Sequence, residues 1–450
     1  MKFRSYYWIY SRKYQIISII FDFILFIILK EEFSGLLKYT NPNIIYFLFF
    51  VFVFAGYILD KYNRQNLTFV FTFYKYIKLF IIFVLIYLIF AISTFLNVDY
   101  FGFYYFKDVV WNISKLITPF LLSQLILEKY LFRKNKNNIL LIGNVKCHEI
   151  LLDLLKTNKL RYEVKLTTVD QIGYLSNLKK FQFIISNTNN INETLEIRRI
   201  LESHDINNSF YLLPEWCRCY LERLPSDLIQ EPFNYQHQSG FGNCYLQKKL
   251  KRLSDIAFSF IILILTSPLI LISSLFIYLE DGNPVLYSQY RNGINKKKIK
   301  IYKLRTMIKD AEKTGAQWSL QNDKRILFIG SILRKSRIDE LPQLISVIKG
   351  EMSLIGPRPE RPFFDDKFSK QIKFYDLRYL IKPGLSGWSQ VNYPYGASDK
   401  DASIKLSYDL FYISQFSLWL DFLILFKTIK ILLRLENAIT PNRNNKTSNL

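Results

Sequence analysis

The chain has 450 residues, half of them hydrophobic and 17% aromatic, with a formal net charge of +23. A chain both this apolar and this basic does not read as an ordinary soluble enzyme; an anionic membrane surface and nucleic acid are the two partners such charge suits. The basic residues are spread among long apolar runs and no RNA- or DNA-binding signature is visible, which argues against nucleic acid and for the membrane.

Four apolar segments fill the first third: residues 14–29, 44–59, 79–96 and 109–127. Each is near the ~20 residues that cross a ~30 Å hydrocarbon core, although the fourth contains Lys115. No small-residue cleavage site follows the first, so the N-terminus does not read as a cleavable signal. Asp22 inside the first segment either faces a bundle interior or sits at the interface of a short helix. Lys2, Arg4, Arg12 and Lys13 precede the first span; Lys61, Arg64, Lys75 and Lys78 follow the second; Lys129, Arg133, Lys134 and Lys136 follow the fourth. The loops between carry Glu31, Glu32 and one Lys38, then Asp99, Lys107 and Asp108. The positive-inside rule makes residues 1–130 a four-helix transmembrane bundle with both ends cytoplasmic.

Residues 137–236 alternate strand and helix signals. NILLIG at 138–143 reads as a buried strand with a helix through Leu155; 162–169 and 181–186 read as strands, 193–203 as a helix, 210–213 as a last strand. The first turn, Gly143-Asn144-Val145-Lys146, lacks the G-x-G-x-x-G phosphate turn, so the domain is expected to be Rossmann-like, not dinucleotide-binding, and structural or regulatory. Cys217-x-Cys219 has no second ligand pair; with Cys147 and Cys244 it reads as reduced thiol, not zinc. Residues 233–243 read as a linker.

A fifth apolar run, 256–279, is long enough to span, yet Lys248, Lys249, Lys251 and Arg252 precede it and Arg291, Lys296, Lys297, Lys298, Lys300, Lys303 and Arg305 follow. Positive charge on both sides predicts cytoplasmic ends, hence a re-entrant helix bending at Ser267-Pro268, where the serine can re-satisfy a carbonyl that proline frees. A kinked full span is the competing reading. Residues 285–290 and 299–304 read as short strands. Residues 406–433 read as an interfacial amphipathic helix or pair, or as a buried core helix.

Residues 336–359, SRIDELPQLISVIKGEMSLIGPRP, hold the chemistry. Ser336 lies three residues before Asp339, the spacing of a capping box. Pro342 is tolerated only in a first turn, so a helix is expected to start near Ile338 with Asp339 and Glu340 at its positive end, ionised. Facing Arg358, fixed between Pro357 and Pro359, the pair suits a metal-phosphate site, and equally suits plain satisfaction of a helix dipole.

From about Lys251 to Leu433 the blocks accumulate. They are Lys251-Arg252-x-x-Asp255, Ser267-Pro268, Gln289-x-Arg291-x-Gly293, Lys303-Leu304-Arg305-Thr306-Met307, residues 334–343, Gly350-Glu351-Met352-Ser353, Gly356-Pro357-Arg358-Pro359-Glu360-Arg361-Pro362, and residues 383–392, PGLSGWSQVN. In that order they resemble the polyprenyl-phosphate sugar-phosphate transferases of bacterial glycan assembly, the monotopic phosphoglycosyl transferases. The N-terminal spans and Rossmann-like domain resemble the large-form members. Ser386 and Ser389 depart from the expected threonine and alanine, keeping size and polarity.

The resemblance implies a membrane α plus α/β protein of the bacterial inner membrane, with a cytoplasmic catalytic domain at 245–450 anchored by the re-entrant helix. It implies transfer of a sugar-1-phosphate from a UDP-sugar to undecaprenyl phosphate through a phosphosugar-aspartate. Asp339 is then the nucleophile, and Asp339 and Glu340 the ligands of Mg²⁺ or Mn²⁺. Arg334 and Arg358 are expected phosphate clamps. Lys303, Arg305 and Arg291 are further phosphate candidates, the first two with a solvated strand face as the alternative. Expected partners are the UDP-sugar, undecaprenyl phosphate and membrane lipid, with no nucleic acid; a homodimer is compatible with the resemblance.

Overall fold

The computed structural model of the chain describes residues 12–36, 42–58, 62, 138–157, 162–229, 245–309, 311, 323–393 and 398–434, apart from 173, 176–177, 189, 205–209 and 324. The predicted spans 79–96 and 109–127, the linker 233–243 and Cys244 lie outside the described residues. Contacts divide the chain into two compact units, one built on residues 9–184 and 195–209, the other on 185–194 and 210–450.

In the first unit, helices α1 (Lys13–Leu36) and α2 (Pro42–Ile58) form on the first two predicted spans. They pack through aromatic rings, Phe26 stacking on Phe49 at 4.2 Å. Asp22 faces inward, fully buried, and accepts a hydrogen bond from the Tyr62 hydroxyl at 2.9 Å. Strand β1 (Asn138–Ile142) pairs in parallel with β2 (Glu163–Thr167), and α3 (Val145–Thr157) connects them. Asn144 caps α3, its side chain accepting the Cys147 N–H at 3.0 Å. In chain order β3 (Phe183–Ser186) and helix α4 (Ile191–Ser203) follow, each divided between the two units, and β4 (Phe210–Leu212) opens the last stretch of the second unit.

The second unit begins before the expected boundary. Leu224 and Ile229, assigned from sequence to the Rossmann-like domain, are buried in its core beside Trp388, Tyr408 and Phe411. Leu224 N–H donates to the Ser407 carbonyl at 2.8 Å and the Trp388 indole to the Glu222 carbonyl at 2.9 Å. Apolar side chains, worth about 1.5–3 kcal/mol each when buried, decide which core a connecting segment joins.

Helix α5 (Tyr245–Asp281) extends the predicted apolar run at both ends and carries Pro268 in its interior. Among the described residues it is the helix long and apolar enough to cross a membrane. Pro268 has no N–H for the carbonyl of Ile264, and the Ser267 hydroxyl donates to that carbonyl at 2.8 Å, as the dipeptide predicts. Both ends of α5 dock on the same unit. Near the start, Arg252 donates to the carbonyls of Val347 and Ile348 at 2.6 Å each, and Asp255 accepts from Ser353 Oγ at 2.8 Å. At the far end, the Glu280 carboxylate accepts the N–H groups of Phe328 and Ile329 at 2.6 and 3.0 Å, satisfying the first amides of α6 (Phe328–Ser336).

The hairpin β5 (Leu286–Asn292) and β6 (Lys298–Leu304) follows α5 in antiparallel register from Leu286↔Leu304 to Asn292↔Lys298. A six-residue 3₁₀ turn, Ile338–Gln343, leads into α7 (Leu344–Lys349). Strand β7 (Ser353–Ile355) pairs in parallel with β8 (Gly384–Ser386). A Cβ on Gly384 would meet the Gly356 amide nitrogen at 2.1 Å, so the GPRP and PGLSG blocks need their glycines for backbone contact. Helix α8 (Pro362–Gln371) packs on β5, and α9 (Trp388–Asn392) follows β8 in the chain.

The segment 406–433, expected as an interfacial helix or pair or as a buried core helix, belongs to two helices of different kinds. Helix α10 (Asp399–Ser414) is a buried core helix, capped by a box between Ser398 and Asp401. Helix α11 (Leu418–Arg434) buries Leu420 and Ile424 and exposes Trp419, Phe422, Phe426 and Leu433, an apolar outer face. Phe422 meets Phe258 of α5 edge to face, centroids 6.4 Å apart.

Candidate active site

The carboxylate pair sits where α6 ends. Ser336 does not form a capping box with Asp339; it closes α6, its hydroxyl donating to the carbonyls of Ile332 and Leu333 at 2.8 and 3.2 Å. Arg337 then adopts a left-handed conformation, φ 56°, and turns the chain into the 3₁₀ segment. Such a φ is rare for a long side chain and marks a turn the surroundings impose. Both carboxylates point inward, Asp339 8% and Glu340 7% exposed.

Their environments differ sharply. Lys303 Nζ on β6 lies 2.7 Å from Glu340 Oε1, Arg358 Nη2 lies 2.6 Å from the same oxygen, and Arg337 Nη1 lies 3.8 Å from Oε2. Burial alone would raise the Glu340 pKa, but Arg358 and Lys303, with the Arg358 hydrogen bond and Arg337, hold it well below the usual carboxylate range. Asp339 makes no hydrogen bond or ion pair among the described residues. Burial pushes its carboxyl up to about 6, with the Glu340 charge adding to the rise and Lys303, Arg334 and Arg358 opposing it. The helix-end reason given for their ionisation is corrected: the 3₁₀ turn is too short for its dipole to govern, and burial and specific partners set how readily each carboxyl ionises.

Of the five basic candidates, the structure brings three together. Lys303 and Arg358 bind Glu340. Arg334 is near enough to Asp339 to act on its charge, and its Nε donates to Thr306 Oγ1 at 2.8 Å. Arg305 has another job. Its Nη2 donates to the carbonyls of Asp281 and Gly282 at 3.1 and 2.7 Å, capping the C-terminus of α5, and no bond joins it to either carboxylate. Alternation puts Lys303 on the face of β6 that carries the buried Ile299 and Ile301, whereas Arg305 lies beyond the end of the strand. Arg291 lies against the PRP segment, its Nη1 3.4 Å from the Pro359 carbonyl and 3.9 Å from Glu360 Oε2. Burial lowers its pKa to about 10, with Glu360 opposing and Arg358 and Arg361 assisting. Sequence reading missed Arg337 and Thr306; both lie inside quoted blocks, but nothing in spacing distinguishes them from neighbours.

The arrangement offers one buried, chemically available carboxylate beside cations able to receive phosphate. The described residues contain no group of three or more His, Cys, Asp or Glu side chains able to cage a metal.

The bacterial sugar transferase family model matches residues 246–435. A UDP-N-acetylgalactosamine-undecaprenyl-phosphate N-acetylgalactosaminephosphotransferase of Aeromonas hydrophila is 40% identical over 238 residues, 49% of this chain and 56% of that protein. A UDP-glucose:undecaprenyl-phosphate glucose-1-phosphate transferase of Escherichia coli K12 is 37% identical over 187 residues, 41% of this chain and 40% of that protein. One of the same description from Caulobacter vibrioides is 37% identical over 190 residues, 42% of this chain and 71% of that protein. The chain thus spans about half the length of the first two relatives and most of the third. The matched region carries the whole Asp339–Glu340 cluster and α5, and by this likeness the chain belongs to the bacterial sugar transferase family.

Proposed function

We propose that this chain transfers a sugar-1-phosphate from a UDP-sugar to undecaprenyl phosphate, releasing UMP, and so begins the repeat unit of an exopolysaccharide, capsule or O-antigen. The observation that carries the reading is the split pair: Asp339 buried without a hydrogen bond, beside Glu340 saturated by Lys303, Arg337 and Arg358. The relatives' names supply the donor and acceptor classes.

In the first step an Asp339 carboxylate oxygen attacks the β-phosphorus. The bond from that phosphorus to the bridging oxygen breaks, and UMP leaves with its electron pair. In the second, an oxygen of undecaprenyl phosphate attacks the same phosphorus, the aspartyl bond breaks, and the carboxylate is regenerated. Covalent relay divides one difficult transfer into two. Glu340 keeps the cations gathered before substrate arrives, while Arg334 and Arg358 offer guanidinium forks to the phosphate oxygens. A carboxylate with a pKa of about 6 is mostly ionised at neutral pH yet only lightly stabilised, which suits a nucleophile.

The donor set fits Mg²⁺ or Mn²⁺ in the mode that uses one or two carboxylates and fills the other positions with water and substrate phosphate. Asp339 would hold the ion, with Glu340 beside it. When bound it supplies charge neutralisation of the diphosphate.

Helix α5 supports a membrane placement. Its two ends dock on one unit, its outer side is apolar, and Ser267-Pro268 lies midway. We read it as entering and leaving the cytoplasmic leaflet, with the exposed face of α11 at the headgroup level, where an undecaprenyl phosphate keeps its phosphate.

The test is UMP release by membranes holding the full-length protein, offered a panel of UDP-sugars with undecaprenyl phosphate. Label from a β-³²P donor on Asp339, lost in Asp339→Asn, supports the reading. Turnover without a labelled enzyme refutes the covalent step.

A further inference from the structure

The Pro357-Arg358-Pro359 segment has two residues without an N–H, so it cannot be held by a ladder of amide donors. It is held by its carbonyls instead. Pro357 accepts from Gly384 N–H at 2.9 Å, Arg358 from Arg378 Nη2 at 2.8 Å, Pro359 from Arg291 Nη1 at 3.4 Å, and Glu360 from Asn292 N–H at 3.4 Å. Four consecutive carbonyls find four donors from three separate elements.

Arg378 is the donor under Arg358 itself. It is 6% exposed, and its Nη2 also donates to Asp409 Oδ2 at 3.1 Å. Its Nη1 donates to the Tyr375 hydroxyl and lies 3.9 Å from Asp365 Oδ1. The two carboxylates are fixed in turn: Asp409 accepts from Ser389 Oγ at 2.8 Å, and Asp365 from Asn292 Nδ2 at 2.8 Å and the Tyr375 hydroxyl at 2.9 Å. A planar fork locked on one side by two carboxylates aims its remaining direction at one carbonyl. That carbonyl belongs to the residue whose side chain binds Glu340.

We propose that Arg378 is a positioning residue for Arg358: it fixes the backbone of the PRP segment so that the Arg358 guanidinium is already in place when the diphosphate arrives. Arg378 touches neither carboxylate of the 339–340 pair. The inference rests on reading Arg358 as a phosphate clamp.

A double-mutant cycle on the full-length purified protein tests it, with UMP release from a UDP-sugar that the parent turns over. Arg378→Lys keeps the charge and loses the fork. It is expected to lower kcat about ten-fold or more, with KM for the UDP-sugar changed much less, because small misplacements of a positioning group cost rate. In an Arg358→Ala background the same substitution is expected to cost less than about three-fold, the non-additivity of residues acting through one another. Tyr393→Phe removes a hydroxyl that donates to Asp401 in the same unit and touches neither Arg378 nor its carboxylates; it should lower the melting temperature and leave kcat within about three-fold. Should Arg378→Lys not fold, Asp409→Asn, which removes the carboxylate orienting Nη2, enters the same cycle with the same expectation. Equal losses in both backgrounds, or a Tyr393→Phe loss matching that of Arg378→Lys, would overturn the positioning role. Parent-like kcat in Arg358→Ala would instead refute the clamp reading on which it rests.

Discussion

Arg358 grips Glu340 at both oxygens, Nη2 at 2.6 Å from Oε1 and Nη1 at 3.4 Å from Oε2, while the adjacent Asp339 is left without a hydrogen bond. The glutamate thus serves the cations and the aspartate is kept available. That division yields opposite expectations for the two amide substitutions.

Asp339→Asn should abolish transfer, since an amide does not attack phosphorus. It should also stabilise the metal-free protein. Folding raises this carboxyl from 3.8 to about 6, so the folded state binds the proton more tightly than the unfolded state. Ionised Asp339 therefore costs stability above pH 6, on the order of 3 kcal/mol from the shift. The penalty shrinks as pH falls through 6 and is gone below about 4. Melting curves of both proteins in EDTA, from pH 4 to 7.5, check this; a parent more stable than the variant at pH 7.5 contradicts it.

Glu340→Gln should do the reverse to stability. It leaves Lys303, Arg337 and Arg358 buried or half-buried without their shared anion, and breaking such a cluster costs about 3–5 kcal/mol. Denaturant unfolding should show a lower midpoint than parent at pH 7. An unchanged midpoint would mean the cations repel little or find other partners.

Activity should vanish in EDTA and return with Mg²⁺ or Mn²⁺. The reason is the diphosphate charge, which Arg334 and Arg358 do not balance by themselves, since Glu340 already offsets part of the local positive charge. Full turnover under thorough chelation would remove the metal from the scheme.

Cysteines at Lys249, near the start of α5, and at Lys298, beyond its end, both exposed and on either side of the apolar run 256–279, should label from the cytoplasmic face above the background of the parent. Asn292, though close to the second flank, is a poor reporter because it is buried against Asp365. Labelling of Lys298→Cys only from outside would mean that α5 crosses the bilayer.

The sequence alone determined those features that depend on covalent identity and local spacing. An apolar run with an internal proline is a helix needing help at one carbonyl, and Ser267 stands next to it to give that help. The ordered blocks around Asp339, Glu340 and Arg358 name the chemical groups, and the β5–β6 hairpin and, among the described residues, helices α1 and α2 form on predicted segments. Tertiary structure decided which group meets which. Arg305 and Lys303 are two residues apart and both basic, yet one caps a helix and the other binds Glu340. Ser336 has cap spacing toward Asp339 but closes the helix before it. Asp339 and Glu340 are neighbours of one charge type, and only burial and the positions of Lys303, Arg337 and Arg358 set their proton affinities apart. Arg378, twenty residues from Arg358 in the chain, became visible only when its fork was found on the Arg358 carbonyl. Contact partners depend on packing between distant segments, and charge energetics depend on those partners and on the water excluded around them; neither is written in local spacing.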